Sequence, residues 1–229
     1  DMVIRDWSSD VCSSDLRAVW EVRFGSKITA ARKARAGAAH YRRGLAADST
    51  LGDLYFGLGL YHYWKSAKAG VLRWIGLVAD DKERGYEQLQ HAAANSVLSQ
   101  QAARSALIWI HLDRKEYRQA TNLSLEMLTR YPENHSFLWP LAKIYEGVES
   151  FADAVSAYER LRNNYAANPG NYHNLIECDY RLARCYEGSN HLDALARTAE
   201  QAESYFDNLP APTRHSQKDR IRYLSEAGD

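Results

Sequence analysis

Histidine and cysteine are the side chains of this sequence best suited to moving protons, attacking substrates or holding a metal. There are eight histidines: His40, His62, His91, His111, His135, His173, His191 and His215. No two stand at an i, i+4 spacing, and there is no H-E-x-x-H or C-x-x-C arrangement that would converge ligands on an ion. His173, Cys178 and Cys185 come nearest to a metal set, but a tetrahedral thiolate site draws its ligands from tighter spacings. Buried structural thiols are the simpler reading of the two cysteines. The G-x-S-x-G turn that exposes a nucleophilic serine and the glycine-rich loop that cradles phosphate are both missing. Acids such as Glu83 and Glu87 recur at helical spacing and read as solvated helix faces. Arg32-Lys33-x-Arg35 and Arg42-Arg43 read the same way, because no aromatic residues interleave with them to stack on bases. The expectation is a protein with no catalytic residues, no cofactor, no metal and no nucleic-acid partner.

Composition supports a folded, helical chain. Of 229 residues, 45% are hydrophobic, 25% charged and 11% aromatic, with 13 Gly and 5 Pro. That excludes disordered, collagen-like and disulfide-scaffold classes. Basic and acidic residues balance at 29 each. The balance depends on residues 1–16, which lack periodicity and are dense in Ser and Asp. The stretch Asp6-Trp-Ser-Ser-Asp-Val-Cys-Ser-Ser-Asp-Leu16 resembles the in-frame translation of a sequencing-library adapter. Residues 1–16 are therefore expected to be a non-native, disordered tail, with the native N-terminus missing and localisation left open between cytoplasm and periplasm. Beyond them the chain holds 28 basic and 25 acidic residues and is mildly basic. The longest apolar run, Ala69–Ala79, is about half the ~20 residues that span a bilayer and contains Arg73.

From Lys27 onward, apolar residues recur at three and four spacing and β-branched alternation is absent. Breaks fall at Asp48-Ser-Thr50, Asp80-Asp81, Tyr131-Pro-Glu-Asn134, Asn168-Pro-Gly170, Gly188-Ser-Asn190 and Pro210-Ala-Pro212. Ser150-x-x-Asp153 and Asn190-x-x-Asp193 read as helix N-caps. These signals predict one all-α domain over 17–229, with its core at 27–208, an apolar insertion at about 66–80 and a C-terminal helix at about 213–226.

The chain also repeats itself. Leu107 and Leu141, Tyr117 and Phe151, Ala120 and Ala154, Met127 and Leu161, and Tyr131 and Tyr165 are each 34 residues apart. Leu138, Leu141-Ala142, Tyr145, Ala154, Tyr158 and Leu161 fill the positions of a tetratricopeptide hairpin, with Ala142 and Ala154 where two helices approach most closely. Leu182-Ala183 and Tyr186 repeat the pattern at a spacing of 41, and Tyr55, Leu58-Gly59 and His62 begin an earlier copy. Its second helix, with Gly85, Leu89 and Ala92, is displaced by an insertion. Residues 27–47, with Gly37, Tyr41 and Gly44, read as the second helix of a copy before that. The chain thus resembles the tetratricopeptide-repeat (TPR) proteins. The run Gly57-Leu-Gly-Leu-Tyr-His-Tyr-Trp64, with Val71-Leu-Arg-Trp74 and Asp81-Lys-Glu-Arg-Gly85, resembles a bacterial TPR family distantly similar to inclusion-body-clearance proteins. The resemblance implies a right-handed α-solenoid of antiparallel hairpins, about four to five repeats, whose first helices line a concave groove.

In such an array, function lies on the groove. The helix pattern places Phe56, Leu60 and Tyr63, then Ser105, Trp109 and Leu112, then Trp139 and Lys143, then Tyr180 and Arg184 on that side. A peptide or helix of a partner is expected there, its apolar side chains against Trp109 and Trp139 and an acidic group on Lys143 and Arg184. The alternative for the tryptophans is packing against the next hairpin. The two asparagines of the carboxylate clamp of some TPR domains are replaced by Leu60 and Trp109, which argues against chaperone-tail binding. The insertion, with Lys65, Lys68 and Arg73 around Val71, Leu72, Trp74 and Ile75, reads either as a cover over a neighbouring hairpin or as a membrane-surface helix. The expected function is a non-enzymatic protein-interaction scaffold. An envelope-associated assembly component and an enzyme using the groove as a pocket are the alternatives.

Overall fold

The computed structural model describes residues 27–68 and 79–228. The adapter-like segment and most of the apolar insertion lie outside these residues. Among the described residues eleven α-helices follow one another: α1 (Lys27–Ala47), α2 (Gly52–Lys68), α3 (Lys82–Asn95), α4 (Gln100–Asp113), α5 (Tyr117–Arg130), α6 (His135–Gly147), α7 (Phe151–Ala166), α8 (Tyr172–Gly188), α9 (Leu192–Glu203), α10 (Ala211–Ser216) and α11 (Lys218–Gly228). The breaks at 48–50, 80–81, 131–134 and 168–170 fall between helices, whereas Gly188 is the last residue of α8 and Ala211 and Pro212 open α10. The expected C-terminal helix is two helices, because Gln217, buried with φ −101° and ψ 2°, ends α10 and turns its amide to His173. The described residues divide into two compact units, one up to Ile110 and one from His111 onward.

In the first unit, α1 packs on α2 and α2 on α3. The α2–α3 crossing is made by glycines. A Cβ on Gly85 would lie 2.5 Å from the Tyr63 amide nitrogen and 2.8 Å from the Gly59 carbonyl oxygen. With no side chain at either position, the two backbones touch and Leu89 and Ala92 pack without exposure. The tips of the hairpin are tied by side chains. Ser66 Oγ accepts from the Asp81 amide at 2.9 Å and Lys65 pairs with Asp81, closing the base from which residues 69–78 depart. At the other end Asp53 accepts from the amides of Val97, Leu98 and Ser99 and from the Ser99 hydroxyl. Burial alone would raise the Asp53 pKa, but these donors outweigh it and hold the carboxyl below its usual range.

In the second unit α5, α6, α7, α8 and α9 pack in succession, and α11 closes on α9 and α8. The 34-residue period is a period of burial. Ala120 and Ala154 are both fully buried, as are Met127 and Leu161 to within a percent. It is also a period of backbone conformation. Lys115, Glu149 and Asn190 are the non-glycine residues with positive φ among those described, at 60°, 59° and 59°. Each sits just past a first helix, in a turn closed by the same two bonds. The amides of Glu116, Ser150 and His191 reach back to the carbonyls of His111, Tyr145 and Tyr186 at 2.8, 2.9 and 2.8 Å. The residue before each bonds three positions back, which completes a Schellman turn. This corrects the reading of Asn190 as an N-cap: the N-cap of α9 is His191, and Asn190 supplies the left-handed residue the turn requires. Ser150 is the N-cap of α7, but its hydroxyl donates to the Asp153 carboxylate at 2.7 Å rather than accepting from an amide.

Candidate functional site

Among the residues singled out for binding, those of the first unit lie on α2 and α4. Phe56, Leu60, Ser105 and Trp109 are half-buried. Tyr63 differs. It is 0% exposed, its backbone lies against Gly85 and its ring meets Trp64 edge-on at 5.3 Å. Tyr63 therefore belongs to the α2–α3 crossing, and no surface reaches it. Leu112, at the start of the second unit, is half-buried near the end of α4. The basic residues Arg32, Arg35, Arg42 and Arg43 are exposed on α1.

The second unit places Trp139 and Lys143 on α6 and Tyr180 and Arg184 on α8. Trp139 is half-buried. Its indole N–H donates to the Tyr165 hydroxyl at 2.8 Å, and its ring meets Tyr158 edge-on at 5.7 Å. Part of this tryptophan is therefore spent on packing α6 against α7 within its own hairpin, and part faces outward. Tyr180 is flanked by three guanidiniums, Arg181, Arg184 and Arg220, at 5.3, 6.0 and 5.6 Å from its ring centre, with Tyr223 edge-on at 5.3 Å. Arg184 is exposed, donates to the Tyr180 hydroxyl at 3.1 Å and faces Glu187 at 3.7 Å.

These residues are linked by others that sequence reasoning passed over. Arg181 donates to Glu146 on α6 at 3.2 Å and to Glu177 on its own helix at 3.1 Å, and Arg220 on α11 pairs with the second oxygen of Glu177. The Tyr158 hydroxyl donates to the second oxygen of Glu146 at 2.7 Å. Burial, reinforced by that carboxylate, pushes the Tyr158 pKa far up, so the phenol stays a donor. The result is a polar seam across α6, α8 and α11. A signal for it is present in the sequence: Lys143 and Glu146, then Glu177, Arg181 and Arg184, recur at three and four spacing on first helices. Such acids read as solvated when taken helix by helix, and α11 carries no repeat signature that would place Arg220 beside them.

Lys143 stands within this seam and is half-buried. Burial first, and the nearby Arg181 second, hold its ammonium below the usual lysine value, with Glu146 and Glu177 acting against that. Elsewhere in the unit Asp179, fully buried on α8, accepts from Arg162 at 2.5 Å, and burial pushes its carboxyl up to about 6 against the pull of that guanidinium. Cys178 and Cys185 are free and buried; burial pushes both thiols up, Cys185 to about 12, so neither is a thiolate at neutral pH. His173 is held by Gln217 at 3.0 Å. Among the described residues no group of three His, Cys, Asp or Glu could hold a metal ion, and no helix is long and apolar enough to cross a membrane.

No protein-family model matches this chain, and no curated protein matches it. Solved structures do. One described as "MamA AMB-1 P212121" is similar to this chain over 86% of its length and 99% of the other, with 15% identity and a TM-score of 0.54. At that identity the likeness concerns fold alone. The fold of MamA is a TPR-like helical solenoid, and the chain described here has a TPR-like, all-α fold of helical hairpins.

Proposed function

We propose that the protein is a non-enzymatic interaction scaffold that holds a peptide or helical segment of a partner protein against its first-helix surface, chiefly the α6, α8 and α11 face of the second unit. The observation that carries this reading is the seam itself. Side chains of α6, α8 and α11 are tied into one surface by Arg181, Glu177 and Arg220, with Trp139, Tyr180 and Tyr223 half-buried on the same three helices. Half-buried aromatics held in fixed orientations give a partner contact area at little cost in ordering. In the first unit, Phe56, Leu60, Ser105 and Trp109 are offered as a surface of that unit; Tyr63 is withdrawn from it by its burial.

The test is capture of partners from a lysate of the native cells with the full chain and with Arg184→Ala combined with Trp139→Ala. Circular dichroism checks that the variant keeps its helix content. The reading predicts that partners captured by the unaltered chain are lost from the folded variant. Unchanged capture would refute it.

A further inference from the structure

We infer that the partner segment carries an acidic side chain, aspartate or glutamate, whose carboxylate binds the Lys143 ammonium. This rests on the reading just proposed and names the chemistry of its anchor. The charged groups facing Lys143 are Arg181, Glu146, Glu177 and Arg220. Both carboxylates are fully engaged by other donors. Glu146 spends one oxygen on Arg181 and the other on the Tyr158 hydroxyl. Glu177 spends one on Arg181 and the other on Arg220. Each of the four oxygens thus has a closer partner of its own, and among the described residues Lys143 itself has no hydrogen bond or ion pair. A half-buried ammonium beside two guanidiniums has lost hydration without gaining an acceptor, and that is the condition an incoming carboxylate relieves.

Arg184 does not share this role equally, since its guanidinium already has the Tyr180 hydroxyl and Glu187. Charge also limits the kind of acid. Lys143, Arg181, Arg184 and Arg220 stand with Glu146, Glu177 and Glu187, and Glu149 lines the same hollow as Glu146, Arg184 and Glu187, so cations and acids balance and the cation without a partner is Lys143. A single carboxylate can meet Lys143 without facing these acids. A nucleic acid or an anionic lipid surface would bring further negative charges against Glu146, Glu177 and Glu187. Trp139, one helical turn before Lys143, offers its outward part to an apolar neighbour of the acid.

A displayed library of random linear peptides, selected on the full chain, tests this. The binders should share an Asp or Glu, and replacing that acid by its amide should weaken binding about tenfold or more. Lys143→Met, which keeps the length of the stem, should bind acid and amide forms alike and as weakly as the amide binds the unaltered chain. Lys143→Arg should restore the preference. Binders without a shared acid, or acidic binders indifferent to Lys143→Met, overturn this inference and leave the scaffold reading standing. The acid-to-amide comparison on the unaltered chain decides the matter even if Lys143→Met fails to fold. A selection whose binders are all indifferent to Arg184→Ala with Trp139→Ala overturns the scaffold reading itself.

Discussion

Asp179 shows how a single residue ties the repeat core to pH. It is fully buried, one oxygen accepts from Arg162 and the other has no hydrogen-bond partner. Burial raises its pKa from 3.8 to about 6. A raised carboxyl pKa favours the protonated, folded state. The stability this contributes is complete below the unfolded value near 3.8 and is lost as pH rises through 6. Chemical denaturation at pH 4.5 and pH 7, for the unaltered chain and for Asp179→Asn, should therefore show the unaltered chain losing on the order of 2 kcal/mol relative to the variant between the two pH values. A pH-independent difference would contradict the account. Asp53 acts in the opposite sense and at another place. Its carboxylate holds three successive amides ahead of α4 and so fixes a turn on which Val97 and Leu98 are 87% and 89% exposed. Asp53→Ala should cost about 1–2 kcal/mol, read by urea denaturation at neutral pH. Neither role was legible in the sequence, since partners 17 and 46 positions away leave no periodic trace.

At the scale of helices and turns, much more could be read. Ala142 and Ala154 stand at repeat positions where the sequence expects helices to approach most closely, and they and Ala120 are fully buried. The turns were legible as breaks but not as conformations, because Lys115, Glu149 and Asn190 share no residue type. Only their hydrogen bonds show that they are the same turn. Lysine and glutamate pay a steric cost in the left-handed region that glycine does not. Glu149→Gly should therefore stabilise the chain by about 1 kcal/mol in equilibrium denaturation, and a loss of stability would count against the turn as described. Gly85→Ala should do the reverse. A Cβ 2.5 Å from the Tyr63 amide nitrogen must push α2 and α3 apart, for a loss of about 1–3 kcal/mol read by thermal melting.

At the scale of the molecule, the repeat pattern pointed to α6 and α8 but not to α11, and not to which of their residues remain available to a partner. Periodicity assigns a residue to a face; it does not say how far a neighbouring helix covers it. Tyr63 has the spacing of a surface residue and is buried because two glycines bring α2 and α3 into contact. Lys143 has the same kind of spacing, is half-buried and has no hydrogen bond or ion pair among the described residues, while the carboxylates around it are bridged to Arg181, Arg220 and Tyr158. The central claim is that partners meet the α6, α8 and α11 face and not the outer helices. A photo-crosslinking side chain placed at Arg184 on that face, and in a second variant at the exposed Glu200 on α9, tests it most directly. A discrete partner adduct is expected from position 184 and none from position 200. Equal adducts from both, or adducts from position 200 alone, would contradict it.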